Sequence, residues 1–155
     1  MPKVFIVYDS KYGNTKIVAE KIGEGLNEVE GVKSTVSYAK KTKPEILSDF
    51  NAVLLGAPNH MGKPSRTITK FVDQLAKTNL KEKKFAIFDT YFGRPRNFEK
   101  AMKKLEKIVE RKLPSWTLLA SGLSIKVDGI KGPIADGELP KRKAFGTKIA
   151  KQLLK

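Results

Sequence analysis

The chain of 155 residues has no cysteine, one histidine, one tryptophan, and 16 acidic residues against 31 basic ones. Without cysteine there is no disulfide, no thiolate nucleophile and no Cys-ligated zinc or iron–sulfur site. The lone histidine, His60, leaves no His-rich metal centre. No apolar run approaches the roughly 20 residues that cross a bilayer. Met-Pro-Lys leads directly into an apolar run, without the h-region and small-residue cleavage site of a signal peptide. The expectation is therefore a cytoplasmic protein with no membrane span and no metal.

The net charge of +15 is carried mostly by lysine. Few aromatic residues are interleaved with the lysines, which spread over several helical segments rather than forming one stripe in a recognisable nucleic-acid module. A lysine-coated surface that steers acidic partners is the expectation, and no nucleic acid.

What is present is an alternation of strand and helix along one domain, 1–155, with no linker, repeat or low-complexity tract. Val4-Phe5-Ile6-Val7-Tyr8 is apolar on consecutive positions, as suits a strand covered on both faces. A helix of about Thr15–Glu28 follows, with Val18, Ala19, Ile22 and Leu26 inward. Val32–Ala39 alternates like an edge strand, and Thr42–Phe50 reads as a short helix with Pro44 in its first turn. Ala52–Gly56 is a buried strand. After a long polar loop, Ile68, Phe71, Val72 and Leu75 mark a helix. Phe85–Asp89 is a fourth strand. Asn97 can cap a helix with Phe98, Ala101, Met102, Leu105, Ile108 and Val109 on one face. Thr117–Val127 supplies a fifth strand interrupted near Ser121-Gly122, preceded by Trp116 as a packing residue. The last helix, about Pro140–Leu154, places Ala144, Phe145, Ile149 and Leu153 inward. Five strands each followed by a helix predict an α/β fold, a doubly wound five-stranded parallel sheet with ligands at the strand C-termini.

Three loops stand at that edge: Ser10–Thr15, Ala57–Ser65 and Thr90–Arg96. The first joins a strand to a helix N-terminus through small and hydroxylated residues, Ser10, Gly13, Asn14 and Thr15. Unpaired amides and the helix dipole make such a turn a cradle for a phosphate monoester; an ordinary tight turn at Gly13 is the alternative. Asp9 follows the first strand as in an aspartyl-phosphate receiver. The third strand, however, ends Gly56-Ala57-Pro58, without a phosphoacceptor Asp.

Ser10-Lys11-Tyr12-Gly13-Asn14-Thr15 resembles the phosphate loop of the flavodoxin family. Gly56-Ala57-Pro58-Asn59-His60 with Gly62-Lys63-Pro64-Ser65 resembles the family's second flavin loop, and Asp89-Thr90-Tyr91-Phe92-Gly93 stands in the place of its third. Gly129–Gly137 resembles the flavodoxin-like domains of flavo-diiron proteins. The resemblance implies sheet order 2-1-3-4-5 and one non-covalent FMN. Ser10, Lys11, Tyr12, Gly13, Asn14 and Thr15 would surround its phosphate. Ala57, Pro58 and Asn59, with His60, Met61 and Gly62, would meet the ribityl chain and ring. Thr90, Tyr91, Phe92 and Gly93 would hold the pyrimidine end. Tyr91 and Phe92 either stack on the ring or cap the core, and His60 reads as a polar loop residue rather than a catalytic acid.

The chain departs from the family in four places. Tyr12 stands where Thr is common, the second loop lacks a stacking Trp, and Arg94-Pro95-Arg96 interrupts the third loop. The overall charge is basic where short-chain members are acidic. Lys11, Lys63, Arg66, Arg94 and Arg96 in or beside the loops would favour addition of negative charge to the flavin. The implied function is electron transfer with acidic redox proteins. The alternatives are an FMN-dependent reductase of quinones or a protoporphyrinogen dehydrogenase, and a flavin-free module for anionic partners.

Overall fold

Apolar side chains on consecutive positions need a covering layer on each side, and the first strand has both. In the computed structural model, which describes residues 1–60, 62–93 and 99–155, β1 (Lys3–Tyr8) runs through the centre of the molecule. Val4, Ile6 and Tyr8 point into one apolar cluster, Phe5 and Val7 into the other. Helices α1 (Asn14–Asn27) and α4 (Leu139–Leu153) close the first cluster with Val18, Ala19, Ile22, Leu26, Phe145, Ile149 and Ala150. Helices α2 (Arg66–Lys77) and α3 (Lys100–Lys112) close the second with Ile68, Phe71, Val72, Leu75, Met102, Leu105 and Val109. Trp116 is buried there too, as a packing residue.

The remaining strands are β2 (Lys33–Tyr38), β3 (Ala52–His60), β4 (Lys63–Pro64), β5 (Lys84–Tyr91), β6 (Thr117–Leu118) and β7 (Leu123–Lys126). The parallel sheet runs β2-β1-β3-β5, and its last position is shared by β6 and β7, both parallel to β5. This is the expected order 2-1-3-4-5, with the fifth strand split between Leu118 and Leu123 as its sequence suggests. Register is continuous across the centre: Val4 lies beside Ala52, Tyr8 beside Gly56, Ala57 beside Asp89 and Pro58 beside Thr90.

Three expectations need correction. Strand β3 does not end at Gly56 but continues to His60, then folds back on β4 as an antiparallel hairpin with Asn59 opposite Pro64 and His60 opposite Lys63. The long polar loop before α2 is that hairpin. Strand β5 likewise continues through Thr90 and Tyr91. In both strands the apolar signal stops where one face leaves the helices and opens on a cavity, so polar residues follow while the hydrogen-bond ladder goes on. The expected short helix is present as the 3-10 helix Pro44–Asp49, with Pro44 in its first turn, so that β2 is followed by no α-helix. On α4 Ala144 faces solvent. The inward positions are Phe145, Ile149 and Ala150, with Gly146 and Arg142 also buried. On α3 Ile108 packs half-buried against the core, on the expected face; Asn97 and Phe98 lie outside the described residues.

Helices α1 and α4 approach closely because each presents a glycine to the other's backbone. A Cβ on Gly25 would collide with the Lys143 carbonyl, and one on Gly146 with the Ile22 carbonyl. Two backbones cannot both yield without separating the helices. Gly146→Ala should therefore lower the denaturation midpoint, with overpacking of about 1–3 kcal/mol exceeding the helix-propensity gain of up to about 1 kcal/mol. Equilibrium urea unfolding measures the sum, and an unchanged or higher midpoint would show that the helices part freely.

Candidate functional site

The turn from β1 into α1 is closed by local bonds that leave the helix start bare. The Ser10 Oγ accepts from the Gly13 N–H at 3.0 Å, and the Ile17 N–H reaches back to the Gly13 carbonyl at 3.1 Å. Gly13 itself sits at φ +93°, a left-handed conformation that side chains with a Cβ rarely adopt. No side chain caps α1. The amides of Asn14, Thr15 and Lys16 are thus left without a partner among the described residues, at the positive end of the helix dipole. Beneath them the buried Thr15 Oγ1 shares a 2.9 Å hydrogen bond with Thr90 Oγ1. That bond ties the cradle to the end of β5.

A cavity of about 400 Å³ opens above this turn, within the range of small-molecule sites. Its first wall is Ser10, Lys11, Tyr12, Asn14 and Thr15; its second is Pro58, Asn59 and His60; its third is Thr90, Tyr91 and Phe92. Tyr12 and Phe92 are 43% and 56% exposed, leaving apolar ring surface in the open. The Lys11 and Lys131 ammonium groups lie 5.4 Å and 5.9 Å from the Tyr12 ring centroid. Asn59 Oδ1 accepts the Gly62 N–H at 2.7 Å and so braces the β3–β4 turn, where Gly62 has φ +83°.

Eleven of the residues singled out from sequence thus line one cavity, drawn from three separate segments. Gly13, Gly62 and Gly93 shape turns at its margins, all with positive φ. The Ala57 side chain is buried in the core, so only its backbone faces the edge. Met61, Arg94 and Arg96 lie outside the described residues. Of the other loop cations, Lys11 alone lines the cavity; Lys63 stands on the far side of the hairpin and Arg66 is exposed on α2. Sequence reasoning missed Val127 and Ile130, which supply a fourth wall from the segment after β7. Their signal was the glycine-bearing run 129–137. It comes back over the cradle so closely that a Cβ on Gly132 would sit 2.6 Å from Asn14 Oδ1.

Among the described residues no His, Asp and Glu cluster could hold a metal ion, and no helix is long and apolar enough to cross a membrane. The model for the family described as flavodoxin domain matches residues 5–123. A flavodoxin of Aquifex aeolicus is 31% identical over 75 residues, which are 48% of this chain and 40% of that relative; the match thus spans about two fifths of the relative's length. Among solved structures, a flavodoxin from the domain Archaea superposes with TM-score 0.78 at 24% identity, covering 99% of both chains. Oxidised flavodoxin 2 of Bacillus cereus gives 0.80 at 22%, covering 97% and 99%. A flavodiiron core from Synechocystis gives 0.77 at 20%, covering 99% of this chain and 36% of that one. At these identities the structural likeness bears on the fold.

One buried acid sits directly behind the third wall. Asp89 is 3% exposed, with Ala57 and Ser124 as its neighbours across the sheet. Neither carboxyl oxygen has a hydrogen-bond partner of good geometry. Burial pushes its pKa up to about 7 from 3.8; the nearby Ser124 hydroxyl opposes this in part, and the Glu99 charge adds to it. The folded protein therefore holds a proton that the unfolded chain releases above about pH 4. The associated stability is complete below that pH and is lost as pH rises towards 7. Asp89→Asn, always neutral, lacks this loss. Its stability relative to wild type should climb between pH 4 and 7 by up to about 4 kcal/mol. Urea unfolding of both proteins across that window measures the difference; parallel curves would mean that the carboxyl is solvated.

Proposed function

This chain belongs to the flavodoxin family, and from that premise we propose that it is an FMN-binding electron carrier, built as a single flavodoxin-like domain over residues 1–155. The observation that carries the reading is the bare first turn of α1 over Gly13. The amides of Asn14, Thr15 and Lys16, with the Ser10 and Thr15 hydroxyls in the same turn, would receive a phosphate monoester in the cavity that Ser10, Asn14 and Thr15 line. A terminal phosphate suits this cradle; FAD would need a pyrophosphate path of the G-x-G-x-x-G type, which the sequence lacks.

The rest of the cavity fits the remainder of FMN. A flat ring with apolar faces and a hydrogen-bonding rim requires aromatic surface beside backbone donors and acceptors. Tyr12, Tyr91 and Phe92 offer the surface, while the strand ends at Pro58–His60 and Thr90–Phe92 offer the backbone. Lys11 brings positive charge to the same cavity. Bound FMN would supply one- and two-electron transfer. The protein's part is to anchor the phosphate, hold the ring on the rigid sheet edge and set the local charge.

The alternative of an FMN-dependent reductase, of quinones or of the protoporphyrinogen dehydrogenase type, draws on the open ring surfaces of Tyr12 and Phe92, which leave room for a planar substrate. The carrier is favoured because, among the described residues, the cavity wall carries no acidic side chain and its one histidine, His60, is exposed at the rim. Stopped-flow reduction by NAD(P)H with quinone, beside reduction by a ferredoxin reductase, separates the two.

FMN uptake, read by quenching of flavin fluorescence and by equilibrium dialysis, tests the cofactor; no uptake at micromolar protein would remove it. Thr15→Val should weaken FMN binding by about 1.5–3 kcal/mol, the worth of a hydroxyl bond to a charged group. Riboflavin, without the phosphate, should lose far less. Gly13→Val should cost FMN more than Thr15→Val, because the left-handed backbone must change. Equal losses for FMN and riboflavin in the Thr15 variant would place the phosphate elsewhere.

A further inference from the structure

Beyond the cavity, the most distinctive surface is a groove of about 430 Å³ between α2 and α3, bounded by the β3–β4 hairpin. Lys104, Lys107, Ile108 and Arg111 follow one another at i, i+3, i+4 and i+7, so α3 presents three cations around one apolar side chain. Lys63 adds a fourth cation from β4, and Pro64 continues the apolar floor. Among the described residues no acidic one lines the groove.

Ion pairs form on both layers of the molecule, but not within this patch. On the opposite layer Lys143 is paired with Glu28, Lys141 with Glu138 and Lys21 with Glu24. Around the groove, Glu99 is taken by Lys103 and Asp73 by Lys112. Lys63, Lys104, Lys107 and Arg111 enter none of the ion pairs among the described residues. Like charges collected in one concave place repel one another and focus a positive potential outward.

The groove also shares a wall with the cavity. His60 and Asn59 line the cavity, and their ladder partners Lys63 and Pro64 line the groove. A partner seated on one side of this hairpin is a single strand-width from the other.

We propose that the α2–α3 groove is the docking seat for an acidic surface segment of a redox partner protein, its carboxylates against Lys63, Lys104, Lys107 and Arg111 and one apolar side chain against Ile108 and Pro64. The proposal rests on the electron-carrier reading and assigns its partner surface. The charge complementarity that steers association acts at the place where docking brings the partner's edge beside the flavin-binding wall.

The test uses a fluorescein-labelled peptide of Glu and Asp around a central Leu, followed by anisotropy at low salt. Wild type should bind it saturably. Lys104→Glu/Lys107→Glu should weaken binding about tenfold, whereas Lys148→Glu/Lys151→Glu, the same charge change on exposed positions of α4, should weaken it less than about twofold. Ile108→Ser should weaken it with no change of charge. Absence of binding, or equal losses in the two double variants, would overturn the seat in favour of undirected attraction. Tighter binding of a single-stranded oligonucleotide, lost in the same α3 variant, would overturn it in favour of nucleic acid. FMN uptake measured on every variant keeps the two readings apart. A wild type that takes up no FMN removes the carrier, while normal uptake with no discrimination between the double variants removes the docking seat alone.

Discussion

Gly13 turns the chain from a strand buried on both faces into a helix whose first amides face a cavity, and the rest of the site is arranged around that turn. After the exposed Lys3, β1 is buried through Tyr8 on apolar and aromatic side chains, because helices cover both faces. The chain must therefore leave the sheet abruptly, and at φ +93° only a residue without a Cβ does so without strain. The bare amides that result would be a liability in a closed core; at the sheet edge they are the groups an anion would bind. The Thr15–Thr90 bond and the segment over Asn14 hold the cradle against β5 and the cavity's fourth wall.

Much of this is legible in the residues. The run Val4–Tyr8 announces a central strand, and the inward faces of α1 and α2 follow from a spacing of three and four. The three site segments are marked by glycine, proline and hydroxylated residues just past apolar runs. What was not legible has a common cause. Hydrophobic periodicity reports which faces are covered, not which backbones are paired. β3 and β5 therefore seem to stop at Gly56 and Asp89, although their ladders continue to His60 and Tyr91. Asp89 reads as the polar end of a strand, yet the continued strand carries it into the interior. Val127 and Ile130 are distant in sequence from the other walls, and only tertiary folding brings them there. Ala144 was read inward because alanine is compatible with either face, whereas the glycine contacts between α1 and α4 fix the helix rotation.

The charge, too, has an arrangement that a total of +15 conceals. Glu20, Glu24 and Glu28 follow one another along α1, and two of them are engaged by lysines of α1 and α4. On the second layer Glu99 and Asp73 are engaged by Lys103 and Lys112, and the groove beside the hairpin is lined by four cations. Basic composition therefore bears on two separate matters: the electrostatic potential at the cavity through Lys11 and, in the proposed docking seat, the choice of partner through α3. Exposed members of either set act within about a Debye length.

The central claim is that α1 begins as an anion cradle. Amide proton and nitrogen shifts, followed by NMR during titration with FMN, test it most directly. The account predicts large downfield shifts at Asn14, Thr15 and Lys16 with FMN and little change at the same amides with riboflavin. Undisturbed amides on saturation with FMN, or equal shifts with both ligands, would contradict it.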